Sequence, residues 1–198
     1  NGFFLRDLAL VYKIEKWIKT YKNKVENWFN VIAFFDAQNS LANFAFNHPY
    51  YVYPTIKNNS EVIIATNLGH SLLNEAKRID NHFTIKNQQF FIITGANMAG
   101  KSTFLRTVSL SIVMANIGLP VCAESFEYNP IKLITSMRTS DSLVDDESYF
   151  FSELKRLKFI VDEIENDDYF IILDEILKGT NSTDKAIGSK KFVQKLVA

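Results

Sequence analysis

The chain carries a single cysteine, Cys122, among its 198 residues, which excludes an internal disulfide and makes a reducing, cytoplasmic compartment the expectation. It also lacks an excess of either charge. Lys plus Arg total 22 and Asp plus Glu total 22, so the basic balance usual in a self-contained nucleic-acid binder is missing. Long hydrophobic runs are absent too. The apolar charge-free stretch Thr107 to Ala123 falls short of membrane-spanning length and is broken by Gly118 and Pro120; it reads as a helix followed by a strand. No secretory leader opens the sequence, which begins Asn1-Gly2 without methionine, and the expectation is a piece cut from something longer. Internal repeats and low-complexity segments are likewise missing. What remains, 47% hydrophobic, suffices for one filled core with an appended helical piece.

Glycine and proline are absent from Phe3 to His48. Apolar residues recur there at steps of three and four, from Phe4 through Leu8, Val11, Ile14, Ile18, Tyr21, Val25, Trp28 and Ile32 to Phe35, a helical seam with a period near 3.5. Lys13, Lys16, Lys19, Lys22 and Lys24 lie off the seam. A solvated face explains them most simply, with contact to a DNA backbone or to anionic lipid as the alternative. A break near Asn23 would divide the segment into two helices, and the sequence leaves that open. Residues 1–48 are therefore expected to form a helical connector, and residues 49–198 the main domain. Within it, Tyr50–Pro54 reads as extended, Asn58-Asn59-Ser60 as a turn, Glu61–Thr66 as a short strand and residues 67–89 as polar and irregular.

Residues 95–102 read GANMAGKS, a complete G-x-x-x-x-G-K-[ST] loop. The apolar run Phe90-Phe91-Ile92-Ile93-Thr94 precedes it and is expected to be a buried strand; a helix-like stretch from Lys101 to Ala115 follows. Such a loop cradles phosphate. Backbone N–H groups of Gly95, Ala96, Asn97, Met98, Ala99 and Gly100 can surround the α- and β-phosphates, Lys101 can reach the β- and γ-phosphates, and the Ser102 hydroxyl can bind Mg2+. The helix N-terminus adds positive potential.

Strand pieces are expected near Leu119–Cys122 and Lys132–Ser136, then an acidic loop with Asp141, Asp145, Asp146 and Glu147, and a helix from about Ser148 to Ile164 with one apolar face. Asn166-Asp167-Asp168 turns the chain into Tyr169–Leu173, a second buried strand ending in Asp174-Glu175. An apolar strand that delivers a carboxylate beside a phosphate loop is the Walker B arrangement: Asp174 for Mg2+, Glu175 to orient or deprotonate the attacking water. Ser148 reads as a helix N-cap, and equally as a hydroxyl that could face the γ-phosphate held by a second subunit.

The run GANMAGKSTFLRTVSL, with DEILKGTNSTD downstream, resembles the ATPase domain of the MutS family of DNA mismatch repair proteins. Asn97 and Met98 inside the loop, Thr103 after Ser102, Gly179-Thr180-Asn181-Ser182, Leu68-Gly69-His70 and the segment from Asp36 to Pro54 carry the likeness, which covers nearly the whole chain. The resemblance implies an α/β, ABC-type P-loop NTPase with a mixed, largely parallel sheet flanked by helices, preceded by a long helical lever segment. It implies ATP and Mg2+ as cofactors, with Thr103 joining the loop and Arg78 where the family offers an aromatic ring to adenine. It further implies a homodimer of the full-length protein through a nucleotide sandwich completed by Ser148, DNA bound by domains outside this chain, and other repair proteins as partners. Asp146-Glu147 stands where the family has Gly-Arg, bringing two acids toward a partner's triphosphate, and Lys178 replaces a common Arg.

The expected activity is ATP hydrolysis that controls a dimer and a DNA clamp in mismatch repair. Turnover by these residues alone is expected to be slow or nil, because the family's switch histidine lies beyond Ala198. Two alternatives stand beside it. One is a divergent relative acting in recombination or another DNA transaction without mismatch recognition. The other is a nucleotide-binding interaction module without catalysis.

Overall fold

The computed structural model describes residues 2–57, 61–87, 89–96, 98–137, 149–177 and 181–197. The chain divides into two compact units, Asn1–Pro49 and Tyr50–Ala198.

The first unit is one helix, α1 (Gly2–Asn47), of 46 residues and about 69 Å at 1.5 Å per residue. No residue in its interior removes a backbone donor, so it runs through Asn23 without interruption. Its hydroxyl residues bond back to the preceding turn, Thr20 Oγ1 to the Lys16 carbonyl at 2.8 Å and Ser40 Oγ to that of Asp36 at 3.0 Å. Pro49 forces the stop: the residue before a proline avoids helical dihedrals, and the His48 ring stacks on Phe44 at 4.2 Å.

The second unit holds two sheets. The first, in the order β1-β4-β2-β3, contains β1 (Thr55–Ile56), β2 (Glu61–Leu68), β3 (Asn81–Lys86) and β4 (Ser125–Tyr128). Strand β2 pairs antiparallel with both β3 and β4, and only the two-residue β1 lies parallel to β4. Helix α2 (Lys101–Asn116) buries Thr107, Val108, Ser111, Ile112 and Met114. It is tied to this sheet at both ends: Phe104 meets Phe83 of β3 edge-on at 5.4 Å, and Asn116 accepts a hydrogen bond from the Tyr128 hydroxyl of β4. Ile63, Leu68, Ile112 and Val121 are the deepest apolar side chains here.

The second sheet pairs β5 (Lys132–Ser136) with β6 (Tyr169–Leu173) in parallel, from Lys132 opposite Tyr169 to Ser136 opposite Leu173. Helices α3 (Tyr149–Ile164) and α4 (Ser182–Val197) complete this part. Its core gathers Ile134, Leu157, Ile160 and Leu177, with Phe192 and Leu196 of α4 packed against them. Helix α3 contacts both β5 and α4, and α2 contacts β5.

Several sequence expectations need correction. The fold class, an ABC-type P-loop NTPase with a mixed, largely parallel sheet, is not what these residues form: the larger sheet is mainly antiparallel and β5–β6 stand apart as a pair. The reason lies in β2, whose two edges are taken by β3 and β4, the first reached by a short return rather than a helical crossover. The expected buried strand Phe90–Thr94 is no strand, and Phe91 and Ile92 stand 53% and 76% exposed. An apolar run becomes a central strand only where both faces are covered. Residues 67–89 are less irregular than expected, since β2 continues to Leu68 and β3 occupies Asn81–Lys86. The strand piece expected at Leu119–Cys122 is reduced to one antiparallel bridge between Val52 and Val121. Asn58-Asn59-Ser60 falls outside the described residues.

Candidate functional site

The phosphate-loop motif sits where a helix begins. Gly100 is the N-cap of α2 with φ 86°, in the left-handed region, where a side chain is strained and glycine is not. A Cβ at Gly100 would meet nothing within 4 Å, so the requirement is backbone strain alone. Gly100→Ala is therefore expected to cost about 1 kcal/mol, read as a lower midpoint in urea denaturation with an unchanged slope. The Phe104 N–H donates to the Gly100 carbonyl at 2.9 Å and closes the first helical turn, leaving the N–H groups before it directed out of the helix end.

Lys101 folds back over the loop. Its Nζ donates to the carbonyls of Gly95 at 2.8 Å and Ala96 at 2.7 Å, which holds the ammonium against the start of the loop. The Ala99 N–H donates to the Ala96 carbonyl at 3.3 Å, tightening the turn. Ser102 is half-buried in the first turn of α2, Thr103 is exposed, and the Met98 side chain stands fully in solvent at φ 66°. Asn97 lies outside the described residues, as do Ser148, Asp141, Asp145, Asp146 and Glu147, and Lys178, Gly179 and Thr180.

Asp174 directly follows β6, and its N–H donates to the Ser136 carbonyl at 2.8 Å, extending the β5–β6 ladder by one residue. The chain then turns sharply: Glu175 and Leu177 both have left-handed backbones, with φ 50° and 57°. Such positions cost about 1–3 kcal/mol each and persist only where packing over-determines them. Two contacts do this. The Leu177 N–H donates to the Glu153 carboxylate of α3, and the Leu177 side chain is buried, with its Cδ1 only 2.6 Å from where a Cβ on Gly188 of α4 would sit. The turn that presents Glu175 is thus anchored from α3 and α4, an arrangement the motif reading missed. Its one sequence signal is Gly188 in the middle of a helix.

Arg78 is held in a bidentate pair with Asp80, Nε to Oδ1 at 2.6 Å and a terminal nitrogen to Oδ2 at 3.1 Å. The Asp80 hydrogen bond raises the Arg78 pKa, so the guanidinium stays charged. The pair lies on Gly69, where a Cβ would be 2.3 Å from the Arg78 Nε and 2.4 Å from the Asp80 Oδ1. This explains the glycine of Leu68-Gly69-His70 as close approach. Next to it the Leu72 N–H donates to His70 Nδ1 at 3.2 Å. Burial, and then the charge of Arg106 on α2, lower the His70 pKa and favour the neutral ring.

Tyr51 lies close to Arg78, its hydroxyl donating to the Ser71 carbonyl at 3.3 Å. Burial, helped by the neighbouring Cys122 thiol, pushes its phenol from 10.0 up to about 12. Because the folded form holds the proton more tightly than the unfolded one, the associated stability is complete below about pH 10 and is lost as pH rises toward 12. Burial raises the Cys122 thiol as well, with the same sign. Tyr51→Phe is expected to flatten the alkaline fall in thermal midpoint between pH 10 and 12, measured by circular dichroism.

The family profile of MutS domain V matches residues 91–197, more than half of the 198-residue chain. The chain belongs to the MutS family. Residues 91–197 are accordingly described as MutS domain V, in place of the ABC-type class expected from the sequence. The chain is 32% identical over 178 residues to the DNA mismatch repair protein MutS of Syntrophomonas wolfei subsp. wolfei, covering 87% of this chain and 20% of that protein. It is 38% identical over 110 residues to the MutS protein homolog 4 of Homo sapiens, covering 55% of this chain and 12% of that one. A third relative, the DNA mismatch repair protein MutS of Flavobacterium psychrophilum, is 32% identical over 183 residues, 88% of this chain and 21% of its own length. The chain thus spans about a fifth or less of the length of these MutS relatives. Among the described residues no helix is long and apolar enough to cross a membrane.

Proposed function

We propose that this part of a MutS protein binds ATP with Mg2+ through residues 95–103 and takes part in its hydrolysis. The observation that carries the reading is the ammonium of Lys101, held against the start of the loop by the Gly95 and Ala96 carbonyls at the N-terminus of α2. A triphosphate entering there meets a cation and the positive end of a helix. The Ser102 hydroxyl and the Asp174 carboxylate are hard oxygen donors of the kind Mg2+ takes alongside phosphate oxygens and water. Among the described residues no cluster of three or more His, Cys, Asp or Glu side chains competes as a metal site. Mg2+, when bound, neutralises charge on the β- and γ-phosphates.

The chain's own residues divide the remaining work. Lys101 exchanges its two carbonyls for phosphate oxygens, and Glu175, aimed by the strained turn below β6, accepts a proton from the attacking water. The bidentate pair with Asp80 fixes the plane of the Arg78 guanidinium while leaving its faces able to stack on a base. Ser148 is assigned to the γ-phosphate of a partner subunit, and DNA contact to the rest of the full-length protein. The relatives' names, DNA mismatch repair protein MutS, support mismatch repair as the setting. The test is calorimetric titration of ATP with and without Mg2+, followed by steady-state hydrolysis in the full-length protein. Glu175→Gln is expected to retain binding and lose at least about 10²-fold in turnover; full turnover in that variant would remove Glu175 from the reaction.

A further inference from the structure

The turn that follows β6 is pinned on both sides of Glu175. Ahead of it, the Asp174 N–H donates to the Ser136 carbonyl at 2.8 Å. Behind it, the Leu177 N–H donates to the Glu153 carboxylate of α3. The side chains after Glu175 are held as well: Leu177 is 4% exposed, and Ile176 packs against the core of Ile134, Leu157, Ile160 and Leu177. With both side chains seated, the freedom left to this segment is rotation of the peptide plane between Ile176 and Leu177, set by ψ of the first and φ of the second. Leu177 holds φ 57°, a left-handed value that a leucine leaves readily unless something opposes it. Rotating the plane back would turn the Leu177 N–H away from Glu153 and the Ile176 carbonyl toward it. A carboxylate accepts hydrogen bonds and has no proton to offer a carbonyl, so Glu153 favours the first orientation and disfavours the second.

Glu153 is delivered from a rigid base. It shares one face of α3 with Arg156, Leu157 and Ile160. Leu157 and Ile160 are buried in the same core as Ile134 of β5, and the Arg156 guanidinium donates to the Thr135 carbonyl of β5 at 2.8 Å. Helix α3 is thus tied to β5, β5 to the start of the turn, and Glu153 to its end. Gly188 of α4 makes room for the Leu177 side chain; the peptide plane behind Glu175 is set from α3.

We propose that Glu153 is a positioning residue for nucleotide hydrolysis: its bond to the Leu177 N–H fixes the peptide plane behind Glu175 and thereby aims the Glu175 carboxylate at the attacking water. The proposal rests on the reading of Glu175 as the base. Glu153 acts only through the turn, so losing its bond leaves the phosphate loop as it was and ATP held as before, while the proton acceptor is misplaced. A misplacement of about 1 Å at a reacting group can cost about 10²-fold in rate.

The test is single-turnover hydrolysis of MgATP by the full-length protein, which separates the chemical step from product release. Glu153→Ala is expected to lower the saturated rate about 30-fold while the ATP concentration at half-saturation and the affinity for MgATP stay within about twofold. Glu153→Gln keeps an acceptor oxygen at the same reach and is expected to fall within about threefold of the parent. In a Glu175→Gln background, Glu153→Ala is expected to add less than about twofold, because no base remains to be aimed. Where Glu153→Ala lowers the thermal midpoint or the circular dichroism, Glu153→Asp, a methylene short of the Leu177 amide, carries the same expectation. An unchanged rate in Glu153→Ala and Glu153→Asp, a loss confined to ATP affinity, equal damage in Glu153→Gln and Glu153→Ala, or losses that multiply in the double variant would overturn the proposal. Full turnover in Glu175→Gln is a different result: it removes the base, and the positioning role with it. Lost turnover in Glu175→Gln beside an unchanged rate in Glu153→Ala removes the positioning role alone.

Discussion

Replacing Lys101 with alanine is expected to weaken ATP binding about 10- to 100-fold, which corresponds to the about 1.5–3 kcal/mol that a hydrogen bond to a charged group contributes. The structure holds the ammonium against the loop through bonds of 2.8 and 2.7 Å to the Gly95 and Ala96 carbonyls. Those bonds oppose binding slightly, because Lys101 must give them up or share them when phosphate arrives. They cannot cancel the gain, since neutral carbonyls are weaker acceptors than a triphosphate. The loop is exposed, so loss of the two bonds should cost the fold under about 1 kcal/mol. Titration of a fluorescent ATP analogue into Lys101→Ala, alongside an unchanged thermal midpoint, separates lost affinity from lost structure. Lys101→Arg should recover only part of the affinity, because a planar guanidinium does not fit a turn shaped around a compact ammonium.

Gly69→Val is expected to destabilise the second unit by about 3–4 kcal/mol. A Cβ at residue 69 would approach the Arg78 Nε to 2.3 Å and the Asp80 Oδ1 to 2.4 Å, and neither atom belongs to a side chain free to leave. Arg78 has a side chain only 14% exposed and is locked to Asp80 by two hydrogen bonds, so moving it strands a charge. The backbone is equally committed, since the Gly69 N–H donates to the Cys122 carbonyl at 2.7 Å. Chemical denaturation measures the loss. The same substitution should also disturb Arg78, so an effect on ATP affinity larger than the stability loss explains would tie Arg78 to the base as proposed.

The junction of loop and helix at residues 95–102 was legible because its determinants are local. Gly95, Gly100, Lys101 and Ser102 are close in the chain, and the loop-to-helix junction they need can form without long-range help. Strand β6 and helix α3 were equally legible, being an apolar five-residue run and an amphipathic stretch with clear ends. The sheet plan was not. Phe90–Thr94 has the composition of a buried strand, but composition does not supply a neighbour, and the edges of β2 went to β3 and β4. Strand β3 was missed because Asn81, His82, Thr84 and Lys86 dilute its alternation, although Phe83 and Ile85 keep the period of two. The Glu175 turn escaped for a different reason. Its left-handed residues are a glutamate and a leucine where glycine is usual, and the restraint comes from Glu153 and Gly188, distant in sequence.

Glutamine at 175 and alanine at 101 probe the two halves of the proposed site separately, whereas the loop itself can be watched directly. Amide NMR of the isotope-labelled chain during titration with MgATP is the most direct test of nucleotide binding at residues 95–103. The account predicts saturable shifts concentrated at Gly95, Gly100, Lys101, Ser102 and Thr103, abolished by Lys101→Ala. Binding that leaves these amides unmoved, or no binding at all, would contradict it.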